Sequence, residues 1–215
     1  MLATFVHKAA QFGLLVSIDR HFLNIASNLS RSASILSPLL LMRSHAFYRA
    51  ASQLAASGQI AESFCLLRAC LECALYCLHI HKDEPLGEAW LRRHDDDSSR
   101  KLVRNEFAYG KLIHTLRDVD PKLGETVGLL YERTIDFGGH PNERSITAST
   151  TMETTDGDID LQQIYLHADS LSLDHGLKTS AQVGLGALYV LRRVFRERFD
   201  ILGITSKLDE LRQYL

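Results

Sequence analysis

The sequence predicts an all-α fold: a bundle of about six to eight helices with a small β-hairpin inserted near 145–166. Three observations predict it. Apolar residues recur at helical spacing through most of the chain. Capping and breaking residues stand where such helices should start and stop. One stretch, Ser145 to Leu166, leaves that pattern for threonine, serine, isoleucine and tyrosine around an Asp156-Gly157 turn signal. The 215 residues fit a single domain, 1–215.

The first helix runs from Phe5 to about Leu29, with Leu14, Leu15, Ile18, Phe22, Ile25 and Leu29 on one side. Ser37-Pro38 suits the start of a second, serine as N-cap and proline in the first turn. It reaches about Ala56, and Gly58 suits its C-cap. A third covers about Gln59 to His81, and Glu84-Pro85 opens a short fourth holding Trp90, the one tryptophan. His94 to Ser99 reads as a polar linker, in which Ser98 or Ser99 caps a fifth helix from Arg100 to Val119. Asp120-Pro121 starts a sixth, fading near Phe137-Gly138-Gly139. After the hairpin a long helix spans about Asp169 to Phe199, where Gly184 and Gly186 allow close packing. Asp200 to Thr205 breaks it before a short last helix. Helices two and three resemble one αα-hairpin of a helical repeat, but no second copy follows, which excludes a solenoid.

Formal net charge is −2, so there is no global basic footprint of a nucleic-acid binder, though a local patch remains open. No GxxxxGK[ST] or GxGxxG motif occurs. The longest apolar run, Ile35 to Met42, is short for a span and contains Pro38, and the start MLATFVHKAAQFG lacks the apolar stretch of a signal peptide. A soluble cytoplasmic protein without membrane partner, metal or cofactor is the expectation.

All four cysteines fall in SFCLLRACLECALYCLH, residues 63–79. At roughly 100° per residue, Cys70, Cys73 and Cys77 share one wedge and Cys65 lies to one side. One helix cannot wrap four thiolates around a tetrahedral ion, so they read as core filler rather than a zinc site. The polar residues say more. Arg68, Glu72 and His79 project in nearly one direction from a helix otherwise apolar nearly all round. Arg68 and Glu72 can pair, being four apart. The stripe is either a structural ion pair or solvated edge, or the wall of a polar pocket.

A second constellation is YERTIDFGGHPNERS, residues 131–145, where a helix ends in Gly-Gly and delivers a histidine braced by proline. Six residues separate Arg133 from His140. Here the chain resembles the HEPN superfamily, small all-helical domains whose catalytic members carry R-x(4–6)-H between two helices. The residue after the arginine, commonly Asn, Asp or His in those members, is Thr134. The resemblance implies a metal-independent ribonuclease or an RNA-binding protein, acting as a homodimer, in a defence or toxin role. It would give His140 the part of general acid or base in 2′-OH attack on the adjacent phosphate. Arg133 would hold that phosphate, and Glu72 could orient either residue. Apart from the resemblance, Arg68, Glu72, His79 and Asn142 are the candidate binding residues. The RxxxE helix with a histidine-proline loop is also similar to uncharacterised bacterial all-helical proteins, which implies no activity. Alternatively, His140 caps its helix and Arg133 pairs with Glu132 or Asp136.

Two other readings compete. A non-catalytic module would bind a protein or small ligand through a pocket at Arg68 and Glu72. A metal phosphohydrolase would use His94-Asp95, but that dyad sits in a serine-flanked acidic run that reads as solvated surface. His79 and His81, two apart, point to different sides of a helix and chelate poorly. Arg192, Arg193, Arg196 and Arg198 crowd one helix end, to suit its dipole or to meet phosphate. The threonine-rich hairpin is a surface arm or an oligomerisation arm.

Overall fold

The computed structural model describes residues 2–29, 35–139, 143–155 and 158–214. Among them the order is α1 (Leu2–His7), α2 (Ala9–Ser27), α3 (Leu36–Ser57), α4 (Ile60–Lys82), α5 (Glu84–Leu91), α6 (Asp97–Glu106), α7 (Tyr109–Val119), α8 (Pro121–Thr134), α9 (Glu143–Thr147), β1 (Thr150–Thr155), β2 (Asp158–Gln163), α10 (Leu171–Val194), α11 (Arg196–Ile201) and α12 (Ile204–Leu211). The fold is all-α with one small antiparallel hairpin, as the periodicity predicts.

Several predicted helices are subdivided. The first breaks at Lys8, which leaves helical geometry. The fifth is two helices, because Ala108 is extended (φ −62°, ψ 139°) where Phe107 turns into the core. Its start also moves back. Asp96, not Ser98 or Ser99, is the N-cap and accepts from the Ser99 backbone at 2.6 Å, so part of the expected linker is helical. The second helix starts at Leu36, so Ser37 lies buried inside the first turn and Pro38 stays within it. The long helix stops at Val194 and resumes as α11. The Asp156-Gly157 turn lies outside the described residues.

Two long helices form the centre. α4 packs against α3, α7, α8 and α10, and α10 also meets α2 and α3. α4 is long and apolar enough to cross a membrane by length and composition, yet in this fold most of its apolar stretch is buried in the bundle. Its Phe64, Leu67, Leu71 and Leu75 are essentially inaccessible, each worth roughly 1.5–3 kcal/mol of burial. Gly184 of α10 faces Tyr48 so closely that a methyl there would lie 2.3 Å from the ring, which is the close packing its position suggested.

Gly58 ends α3 in the left-handed conformation (φ 89°), and the α3–α4 turn is also the hairpin's anchor. The His167 backbone donates to the Gly58 carbonyl at 2.9 Å, and a Cβ on Gly58 would lie 2.3 Å from the His167 carbonyl. At the neck, Ile164 donates to the Ser149 carbonyl at 2.7 Å. Beyond it the strands pair from Thr150↔Gln163 to Thr155↔Asp158, and every β2 residue is exposed.

Candidate functional site

Helical spacing places Arg68 beside Glu72, and its Nε donates to Glu72 Oε1 at 2.9 Å. α8 supplies a third member. Tyr131 donates its phenol proton to the same Oε1 at 2.8 Å and accepts from Arg68 Nε at 3.1 Å. The Arg68 guanidinium carbon also lies 5.3 Å from the Tyr131 ring centroid. Tyr131 stacks on Tyr109 of α7 with centroids 3.7 Å apart and planes within 7°. Burial, then the bond to Glu72, raises the Tyr131 phenol above its ordinary range, so it stays a proton donor. Glu72 is thereby a pinned acceptor. It borders a groove of about 580 Å³ with Leu40, Phe47, Cys73, Tyr76 and Trp90. Glu72 is thus the member of the trio that faces the groove.

His79 belongs elsewhere. Its Nδ1 lies 2.7 Å from Thr115 Oγ1 of α7, and its ring meets Phe107 edge-on. Burial lowers its pKa, so it is a neutral tie between α4 and α7. Cys70 and Cys77 fill the core, where burial pushes both thiols up to about 12. Cys65 is exposed instead, and its thiol donates to the Gly138 carbonyl at 2.9 Å. Among the described residues no three His, Cys, Asp or Glu side chains gather as metal ligands.

After α8 the helix widens into the turn Ile135–Gly139, kinked at Gly138. Gly138 presses on α4: a Cβ there would lie 2.1 Å from the Ala61 carbonyl. Phe137 packs on Phe64, and His175 of α10 contacts both rings at 5.0 and 5.8 Å between centroids. The His175 Nε2 is buried with no hydrogen-bond partner among the described residues. Burial, then the charges of Arg133 and Lys178, lower its pKa.

Arg133 points to α10, donating from a terminal nitrogen to Gln182 Oε1 at 2.7 Å. It pairs with neither neighbour proposed for it on its own helix, and Asp136 takes Arg144 at 2.7 Å. Gln182 lies seven residues beyond His175 and seven before Tyr189, a polar stripe on a helix otherwise built for burial. Gln182 and Tyr189 line a cleft of about 470 Å³ between α8, α10 and α12. Lys122, Arg133, Arg192, Arg193 and Arg212 line it, against the carboxylates Asp120 and Asp209. Asp120 has two tasks: Oδ1 caps α8 at the Leu123 backbone, and Oδ2 holds Arg193. Arg192 lies 3.8 Å from Asp209, which also receives a 3.2 Å contact from the Tyr189 hydroxyl. Among the described residues no carboxylate pairs with Lys122 or Arg212.

The fold thus separates the predicted residues into three places: Arg68 and Glu72 with Tyr131, His79 with Thr115, and Arg133 in the basic cleft. His140 and Asn142 lie outside the described residues. Of the four-arginine cluster, Arg192 and Arg193 enter the cleft, while Arg196 meets Asp200 at 3.9 Å on its own short helix. Sequence reasoning missed Tyr131, His175, Gln182 and Arg212. The seven-residue spacing of His175, Gln182 and Tyr189 is a readable signal for part of this; nothing local marks Arg212. No family model, curated protein or solved structure matches the chain.

Proposed function

We propose that this helical protein binds the phosphate groups of RNA through the cleft between α8, α10 and α12. One observation carries the reading: five cationic side chains line a single cleft opposed by two carboxylates. Guanidinium forks match phosphate oxygens in geometry and charge. The carboxylates hold Arg192 and Arg193 in place until a phosphate exchanges for them. About 470 Å³ suits a nucleotide-sized segment of the chain. Arg133, the arginine of the R-x6-H motif, is one of the five. In the cleaving form of this reading His140 takes the 2′-OH proton as the oxygen attacks the adjacent phosphorus, the bond to the 5′-oxygen breaks to leave a 2′,3′-cyclic phosphate, and water protonates the departing 5′-oxygen.

The test is fluorescence anisotropy with a labelled single-stranded oligoribonucleotide of about 12 nucleotides. Arg133→Ala and Arg192→Ala should each weaken binding and lower the log–log salt slope by about 0.7. Inorganic phosphate as competitor separates recognition of the phosphate alone from recognition of the strand. Unchanged affinity in the double variant removes the cleft from the reading. Cleavage in EDTA that survives His140→Ala removes that histidine's role.

A second reading rests on Glu72, which presents a fixed carboxylate to a groove of aromatic and aliphatic side chains that also holds Arg43, its guanidinium over the Phe47 ring. That arrangement suits a small, largely apolar ligand that donates a hydrogen bond to Glu72. Glu72→Gln should abolish any thermal shift such a ligand produces.

A further inference from the structure

The β1–β2 hairpin is amphipathic, but its apolar face covers nothing. Antiparallel pairing puts Met152 opposite Leu161 and Thr154 opposite Ile159 on one face. The other face carries Glu153 directly opposite Asp160, a like-charge pair that weakens the ladder. Met152, Ile159 and Leu161 are 67, 62 and 69% exposed. An isolated two-stranded hairpin is marginal in water, and this one adds an internal repulsion and buries no side chain of β2. Among the described residues no further strand pairs with either outer edge. β1, TTMETT, carries no lysine, proline or arginine, the residues that normally blunt a free edge.

We propose that β1 is a self-association edge, pairing antiparallel with β1 of a second copy to give a four-stranded sheet in the order β2-β1-β1-β2. Charge selects the edge: β1 has one carboxylate, Glu153, and β2 has two, Asp158 and Asp160, so joining β1 edges brings the fewest like charges together. Alternation selects the register. A two-fold axis at Met152 puts Met152 opposite Met152 of the second copy, Glu153 opposite Thr151, and Thr154 opposite Thr150. It keeps the apolar faces on one side, in a row of Leu161, Met152, Met152 and Leu161, with the acids in water. An axis at Glu153 would set two carboxylates face to face. Identical antiparallel strands satisfy the two-fold symmetry of a closed dimer without a second kind of surface.

The test uses the full chain. Sedimentation velocity across a concentration series should show a monomer–dimer equilibrium, and Met152→Lys should shift it to monomer with unchanged helical circular dichroism. For register, Cys65, the exposed native thiol, is first replaced by serine. Met152→Cys in that background should then form a disulfide-linked dimer under mild oxidation, and Glu153→Cys should not. A wild-type chain that stays monomeric overturns the proposal. A dimer untouched by Met152→Lys does so too, and equal cross-linking of the two cysteine variants overturns the register.

Discussion

Tyr131 and Glu72 lie 59 residues apart in the chain and meet at 2.8 Å, phenol to carboxylate. The contact turns an ion pair that α4 makes within itself into a joint between α4 and α8. It also fixes which oxygen of Glu72 is occupied, because Arg68 and Tyr131 both donate to Oε1.

Tyr131→Phe should lower stability by about 1 kcal/mol, the net worth of one such hydrogen bond. The stacking on Tyr109 survives that change. A double-mutant cycle with Glu72→Gln, read by urea unfolding, should give a coupling of at least about 0.5 kcal/mol. A coupling of zero would mean that the two side chains touch without stabilising the fold.

Gly138→Ala should cost more than about 2 kcal/mol, because the new methyl collides with the Ala61 carbonyl and neither backbone can yield cheaply. The turn would be displaced from α4, and the Cys65 thiol would lose its acceptor. Chemical denaturation gives the cost. Wild-type stability in this variant would show that the turn does not depend on that approach.

Acid should weaken the fold in part through His175. Its pKa in the folded state lies below the ordinary 6.5, first because of burial and then because of Arg133 and Lys178. The unfolded chain therefore binds the proton more readily, and the histidine's contribution is complete above 6.5 and lost as pH falls below it. His175→Phe keeps an aromatic ring between Phe64 and Phe137 and removes the titration. Its melting temperature should fall less than wild type's on acidification; His21 and His79, also lowered, contribute to the remainder, and Asp96 and Asp169, whose carboxyls are held below their ordinary range, add to it at lower pH. An identical pH profile in the variant would assign the acid sensitivity elsewhere.

Alkylation of the native protein should separate the four cysteines. Cys65 is exposed and should react first. Cys73 is held at about 11, chiefly by partial burial, and should lag. Cys70 and Cys77, near 12 in the core, should react only on unfolding. Peptide mapping after a timed iodoacetamide pulse reads the order, and early labelling of Cys70 would contradict the packing of α3 on α4.

Periodicity and capping are local properties, and they carried most of the architecture. The bounds of α4 were readable to within one residue because Gly58 must end α3 and the apolar run needs no partner to identify it. The break at Phe107-Ala108 was not readable. No breaker stands there, and the helix parts because Phe107 is drawn into the core. The extra turn at Asp97 arises because Asp96 outcompetes the serines as cap.

The site divides along the same line. The sequence by itself determined that Arg68 and Glu72 pair, since four residues on a helix make neighbours. Only tertiary structure decided that Tyr131 closes on Glu72, that His79 turns to Thr115, and that Arg133 joins Arg192, Arg193 and Arg212 in one cleft. Those contacts cross between helices far apart in the chain, and which faces meet is chosen by the packing of apolar side chains that carry no mark of the polar groups brought along with them.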